Sequence, residues 1–137
     1  MVDQIIALIM AVACSMGTLS QYDRPSTDEV LLNRSVFGQT AYMLPAQREG
    51  VTGYIAVYEC ERIGEVVTVS WSDYTEKLMV FDCAGDDETR QWMKRGNVIG
   101  EVDYYTAQRW DMLGRAMQGA ILCPAEVGEF QLDAVTR

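Results

Sequence analysis

The chain has 137 residues, of which 49% are hydrophobic and 23% charged, so it is long enough to form one domain with a substantial core. Twenty acidic and eleven basic residues give a net charge of -9, which argues against binding to a nucleic-acid backbone. The sequence contains no histidine. This excludes Ser/His/Asp and Cys/His nucleophile systems and histidine-ligated metal sites, and neither a metal nor a cofactor is expected.

The first 17 residues predict a signal peptide or an apolar N-terminal helix. Residues 5–12 (IIALIMAV) are too short to span a bilayer, which needs about 20 residues, but they fit the hydrophobic region of a signal peptide. Small residues at 11 and 13 permit cleavage before Cys14, where a lipoprotein carries its lipid anchor. We therefore expect a secreted, periplasmic or cell-envelope protein. A cytosolic protein that retains the helix is the alternative.

The four cysteines include no C-x-x-C pair, so they do not predict a zinc site. In an exported protein, Cys60 and Cys83 are candidates for a disulfide because each follows a predicted strand. In a cytosolic protein they would be reduced core residues.

Residues 18–35 are mostly polar and predict a linker, so the folded domain is expected to span residues 36–137. The first part of that domain has short segments with the composition and alternation of β-strands. These segments are residues 36–43, 53–58, 65–71 and 77–82, with a turn at 72–75 that makes the last two a hairpin.

The second part of the domain adds helices. Asp86 and Asp87 are both placed to cap a helix of about ten residues, with Gly96 just past its end. A strand follows at 97–103, and closing strands are predicted at 121–123 and 127–132. A second helix begins at Thr106 and has one predicted apolar face, formed by Ala107, Trp110, Leu113 and Met117. The chain is expected to be mainly β, with two or three short helices and a small six-stranded barrel that leaves no strand edge bare.

Three segments together resemble a known superfamily: GYIAVYECERIG (53–64), LMVFDCAG (78–85) and EVDYYTAQRW (101–110). They are similar to the double-psi β-barrels of the barwin, expansin and rare-lipoprotein-A type and of three-aspartate cell-wall lytic domains. Over residues 36–118, Asp82 corresponds to the aspartate of the D-C or D-x-G motif and Asp103 to that of the D-L-S motif. Ile63-Gly64 match the turn before the valine-rich strand. The chain departs from the pattern in lacking histidine and in carrying Tyr58 where the three-aspartate domains have an acid.

The resemblance implies an exported protein that acts on peptidoglycan glycan strands or another β-linked polysaccharide. In a lytic transglycosylase-like reaction Asp82 would serve as acid and base, and its apolar neighbours would favour the protonated form. A hydrolase needs a second carboxylate, for which Asp103 is the candidate. Tyr58, Tyr104 and Tyr105 are the candidates for stacking on sugar rings.

Structural roles are the alternatives for the same residues. Asp82 would bond backbone amides of the turn at 84–85, Asp103 would cap the next helix, and the acidic run 86–88 would cap a helix rather than hold a cation. Two other functions stay open. One is a non-catalytic glycan-binding or structural module of the same fold, and the other is a small acidic phage or accessory protein that binds a protein partner.

Overall fold

The computed structural model describes residues 14–36 and 50–125, which form a closed six-stranded barrel with three short helices. The strands are β1 (Ser15–Gln21), β2 (Val51–Val57), β3 (Val66–Trp71), β4 (Tyr74–Cys83), β5 (Val98–Val102) and β6 (Met117–Pro124). The helices are α1 (Arg24–Val36), α2 (Asp87–Gly96) and α3 (Tyr104–Arg109), with a 3-10 turn at Cys60–Arg62. The predicted mainly β fold with a six-stranded barrel is confirmed.

The barrel closes in the order β1-β5-β2-β4-β3-β6, so β6 also pairs with β1. The β1–β5 and β2–β4 pairs are parallel, and the other four are antiparallel. The predicted hairpin is β3–β4, in which Trp71 pairs with Tyr74. Closure satisfies the backbone hydrogen-bonding groups that an open sheet would leave at its edges.

The two halves of the barrel have the same topology. The first half, within residues 15–71, contains β1, α1, β2, the 3-10 turn and β3, and the second half, within residues 74–124, contains β4, α2, β5, α3 and β6. Exchanging β1 with β4, β2 with β5 and β3 with β6 reproduces every pairing and its direction. The halves also interlock, because β5 lies between β1 and β2 while β2 lies between β5 and β4. The antiparallel β2–β5 pair is therefore at the centre of a pseudo-twofold relation.

Apolar side chains fill the barrel and also cover part of its outer surface. Inward residues such as Leu19, Ile55 and Val80 are fully buried. A second cluster, which includes Tyr54, Met79 and Phe81 on the outer face, packs against residues from α1 and from the segment before it. Strands β2 and β4 are thus buried on both faces, which explains why their sequences are nearly continuous apolar runs.

The prediction of a linker at 18–35 is wrong. These residues complete β1, which pairs with β5 and β6, and form most of α1, whose Val30 and Leu31 pack on the outer cluster. The strand was hard to recognise because Leu19 is its only large buried side chain, while its neighbours are small or polar. The predicted strand at 36–43 begins on the last residue of α1 and otherwise lies outside the described residues, as does the predicted strand at 127–132.

The second predicted helix begins two residues earlier than expected and is shorter. It ends at Arg109, and Asp111 (φ 55°), two residues beyond that end, adopts a left-handed backbone conformation that does not continue a helix. Trp110 is buried as predicted, but Leu113 is 41% exposed and Met117 belongs to β6, so the four residues do not share a helical face. The first predicted helix is α2, and of the two predicted capping residues Asp86 is the cap, while Asp87 begins the helix. Its left-handed residue is Asn97 (φ 49°) rather than Gly96.

Two disulfides connect the two halves. The predicted Cys60–Cys83 bond joins the 3-10 turn after β2 to the end of β4. A second bond joins Cys14 to Cys123 in β6 and was not predicted. A lipid thioether at the Cys14 sulfur would exclude this second disulfide. Within the described ranges, none of the helices is long and apolar enough to traverse a bilayer.

Candidate functional site

A groove of about 570 Å³ opens on the outer face of the barrel, between α1 and α2. One wall is a face of α1 that includes Ser26 and Val30, and the other is a face of α2 that includes Thr89 and Met93. Strand residues form the floor between the helices. Because α1 follows β1 and α2 follows β4, the pseudo-twofold relation places the equivalent helices of the two halves on opposite sides of this groove.

Four residues form a row across neighbouring strands, and three of them, Ala56, Asp82 and Glu101, line the floor of the groove. Glu101 on β5 is in register with Ser20 on β1 on one side and with Ala56 on β2 on the other. Ala56 is in turn in register with Asp82 on β4. Two carboxylates therefore lie on either side of a methyl group, with their Cα atoms about 10 Å apart across one intervening strand. The small side chain of Ala56 leaves the space between them open.

A β-bulge turns Asp82 toward the groove. Val80 pairs with Ile55, but the next residue of β2, Ala56, pairs with Asp82, so β4 has one extra residue at Phe81. Regular alternation from the buried Val80 would point Asp82 into the barrel. The extra residue instead places Asp82 on the outer face, where it lines the groove.

Tyr22, which follows β1, orients Asp82. Its hydroxyl donates a hydrogen bond of 2.7 Å to Oδ2 of Asp82. Its ring packs against Phe81 with a centroid distance of 5.3 Å, and its backbone N–H bonds the carbonyl of Val102 at 2.9 Å. These contacts fix the hydroxyl in position, so one oxygen of Asp82 is held while the carboxylate lines the groove.

Glu101 is the carboxylate with the most altered acidity. Burial raises the pKa of Glu101 to about 7, a hydrogen bond from Ser20 opposes that increase, and the nearby Asp82 charge adds to it. The side chain keeps access to the groove, which it lines. At neutral pH a large fraction of Glu101 therefore carries a proton that it can donate.

The groove is strongly acidic. Its lining includes five carboxylates, Asp23, Glu29, Asp82, Asp86 and Glu101, and among the described residues no lysine or arginine lines it. Asp23 and Asp86 accept backbone N–H bonds of 2.7 Å from the first turns of α1 and α2, and these bonds lower the pKa of both residues. In the described part of the chain, no cluster of three or more metal-ligating side chains is found.

Asp103, the second predicted catalytic residue, has a structural position. It is 1% exposed and caps α3 by accepting bonds from the backbone N–H groups of Tyr105 and Thr106. Its other oxygen accepts bonds from the backbone N–H of Tyr54 and the hydroxyl of Thr106. Asp103 is not among the residues that line the groove. This placement agrees with the capping role, and the structure brings Glu101 rather than Asp103 beside Asp82.

The three tyrosines proposed to stack on sugars do not line the groove either. The ring of Tyr58 lies 5.4 Å from Nζ of Lys94, which covers it in a cation–π contact. Tyr104 and Tyr105 pack edge to face near α1, where the Tyr105 hydroxyl donates to Asp28 at 2.8 Å. Any sugar contact they make would lie outside the groove.

The sequence did contain a signal for Glu101. In a strand where Val102 points inward, Glu101 must point to the opposite face, as Asp82 does after the bulge. Tyr22 and Ser20 were missed because they lie in the segment that was interpreted as a linker. Comparisons of the chain with protein-family models, with curated proteins and with solved structures found no match.

Proposed function

We propose that this protein cleaves a β-linked polysaccharide in the groove, with Glu101 as the acid and Asp82 as the second carboxylate. The observation that carries the proposal is the raised pKa of Glu101 in an open groove, one strand away from Asp82. Two carboxylates in unequal environments are typical of sites where one group donates a proton and the other remains charged. The acid role, expected for Asp82 from the sequence, is therefore assigned to Glu101.

The chemistry follows from these positions. A glycosidic bond that lies across Ala56 would receive the Glu101 proton on its bridging oxygen as the bond to the anomeric carbon breaks. The Asp82 carboxylate would stabilise the positive charge that develops on the sugar ring. The Glu101 carboxylate then takes the proton of the attacking hydroxyl group. Attack by water gives a hydrolysis product, and attack by the 6-hydroxyl of the same sugar gives the anhydro product of a lytic transglycosylase-like reaction.

The architecture supports the finer assignment to the double-psi barrel superfamily. The first two strands of each half enclose a strand of the other half, and the barrel has two parallel pairs among its six. The two disulfides support the proposal of a secreted or periplasmic protein, because such bonds persist in oxidising compartments.

The charge of the groove narrows the substrate class. Five carboxylates without a lining lysine or arginine, within the described residues, would repel a glycan that is rich in carboxylate or sulfate groups. Neutral or amino-bearing glycan segments are the better fit. Within peptidoglycan, this favours stretches of the glycan strand over the acidic groups of the stem peptides.

Digestion of purified peptidoglycan and of a neutral chitin-type polysaccharide, followed by mass spectrometry, tests the proposal. The wild-type protein should release anhydro or reducing-end oligosaccharides, and Glu101→Gln and Asp82→Asn should each lower the rate by about 100-fold or more. Glu88→Gln is the matched control, because Glu88 is an exposed acid of α2 that does not line the groove. Equal rates for Glu88→Gln and Glu101→Gln would contradict the assignment of Glu101.

The alternatives give different results in the same assay. A wild-type protein that binds the glycan without releasing products is the non-catalytic binding module. The remaining alternative is binding to a protein partner. The net charge of -9 and the acidic groove favour a partner that is basic. Failure to bind or cleave any of the polysaccharides would support that alternative.

A further inference from the structure

The Cys60–Cys83 disulfide borders the carboxylate pair. Cys83 lines the groove and immediately follows Asp82 in β4. It is in register with Val57, the last residue of β2, and its partner Cys60 lies in the 3-10 turn that follows β2. The bond therefore clamps the ends of two parallel strands at the place where Asp82 faces the groove.

The pairing of β4 with β2 is irregular beside Asp82, as it also is near Lys77. The bulge interrupts the β2–β4 ladder between Val80 and Asp82, and β4 ends one residue after Asp82. Beyond that end, the N–H of Ala84 bonds the carbonyl of Val57 at 3.0 Å, and Nε of Arg90 bonds the carbonyl of Ala84 at 3.1 Å. The disulfide is the covalent restraint at this strand end, so its loss should free the end without opening the barrel.

The two disulfides also differ in accessibility. Cys60 is exposed, whereas its partner Cys83 and both Cys14 and Cys123 are partly buried. Thiol–disulfide exchange begins with attack of a thiolate on a sulfur that it can reach, and exposed disulfides are the more easily reduced class. Because Cys60 is the exposed residue of the two disulfides, we expect a reductant to reach its bond first.

We propose that Cys60–Cys83 is a thiol-reducible lock that holds Asp82 in position beside Glu101. A dithiol reductant would attack Cys60, break the S–S bond and release Cys83 as a thiolate that takes up a proton. The second thiol of the reductant would then displace Cys60, which leaves as a thiol, while the reductant becomes a disulfide. Two electrons pass from the dithiol to the protein. The freed end of β4 then carries Asp82 away from Glu101, which disables the pair that the proposed function uses.

The order of reduction tests accessibility. The folded protein is treated with increasing dithiothreitol, alkylated with iodoacetamide and digested, and the labelled cysteines are identified by mass spectrometry. Label at Cys60 and Cys83 should appear at a lower reductant concentration than label at Cys14 and Cys123. The opposite order, or simultaneous labelling of all four, would overturn the proposal.

Titration of the Glu101 carboxyl by NMR tests the position of Asp82. The Cys60→Ser/Cys83→Ser protein should show a Glu101 pKa lowered by about half a unit or more, since the Asp82 charge no longer adds to it. Cys14→Ser/Cys123→Ser is the matched control: Cys14 precedes β1 and lies roughly 20 Å along that strand from Ser20 in the row. An unchanged Glu101 pKa in the first variant, or an equal change in both, would overturn the proposal.

Two further provisions keep the test decisive. If the Cys60→Ser/Cys83→Ser protein does not fold, the titration uses wild-type protein reduced and alkylated at those two cysteines. Unfolding of that species would overturn the proposal, because the bond would then hold the whole barrel rather than Asp82 alone. The lock is relevant to catalysis only if the proposed function holds. Because the titration measures a carboxyl group and not glycan cleavage, a protein without activity on glycans can still pass or fail this test.

Discussion

The two halves of the barrel share their strand order and pairing but supply different chemistry to the groove. At the equivalent positions of the row, the first half places Ser20 and Ala56 and the second half places Asp82 and Glu101. Each half also contributes one helix that begins beside the groove with an aspartate cap. The shared topology thus gives the groove two equivalent helical walls, whereas the carboxylates on its floor come from the second half alone.

The halves differ again at the turn after their central strands. In the second half Asp103 caps α3 and also bonds β2, whereas in the first half Glu59 precedes the 3-10 turn without a side-chain cap. The turn in the second half therefore has a buried side-chain cap, and the described 3-10 turn of the first half does not. Glu59 and Asp103 each precede the helical turn that follows these strands, and their substitution should have unequal effects.

Asp103→Ala is expected to give the largest loss of stability, about 3 kcal/mol or more. It removes the cap of α3 and leaves the buried N–H of Tyr54 without its Asp103 acceptor. Glu59→Ala should cost less than about 1 kcal/mol, since its exposed carboxylate makes only a 3.6 Å ion pair with Arg62. Urea denaturation of the two variants measures the difference. Equal losses would show that the two turns are equivalent in energy as well as in topology.

Glu101 should make the free energy of unfolding fall as the pH rises. Burial raises its folded pKa from 4.5 to about 7, so the folded state binds the proton more tightly than the unfolded state. Its contribution is fully present below about pH 4.5 and is lost as the pH rises through 7. The total is of the order of 3 kcal/mol, at 1.4 kcal/mol for each pKa unit.

Glu101→Gln removes this dependence. The variant should be more stable than wild type at pH 8, by up to about 3 kcal/mol, and close to wild type at pH 4. Ala56 holds the equivalent place in the first half and contributes no such effect. Denaturation curves at both pH values measure the gain, and a gain at pH 8 no larger than that at pH 4 would contradict the buried, protonated state of Glu101.

The sequence predicted β3, β4 and α2 better than β1, for physical reasons. Strands β3 and β4 have alternating or continuous apolar runs, and α2 carries its capping aspartate, so local patterns were sufficient. Strand β1 has one large buried residue, and its stability comes from pairing with β5 and β6, which are distant in the chain. No local period could reveal a strand whose partners lie about 80 and 100 residues away.

The site was predicted only in part for a related reason. Asp82 was identified from its motif, but its orientation depends on a bulge that becomes visible only when β2 and β4 are aligned. Asp103 belongs to an equally plausible motif, yet its position after Val102 at the start of α3 makes it a buried cap. Glu101 has no motif of its own. Its acidity is a product of burial and of neighbours on other strands, which the sequence of β5 does not contain.

The smallest expected effect compares Ser20 and Asp82, which are equivalent under exchange of the halves. Asp82→Asn removes a negative charge near Glu101 and should lower the Glu101 pKa by about 0.5 to 1 unit. Ser20→Ala removes a hydrogen bond to the charged form and should raise the same pKa by a similar or larger amount. NMR titration of the Glu101 carboxyl in both variants measures the two shifts. Their opposite signs are the critical outcome, because shifts of the same sign would mean that the two halves do not act on Glu101 from its two sides.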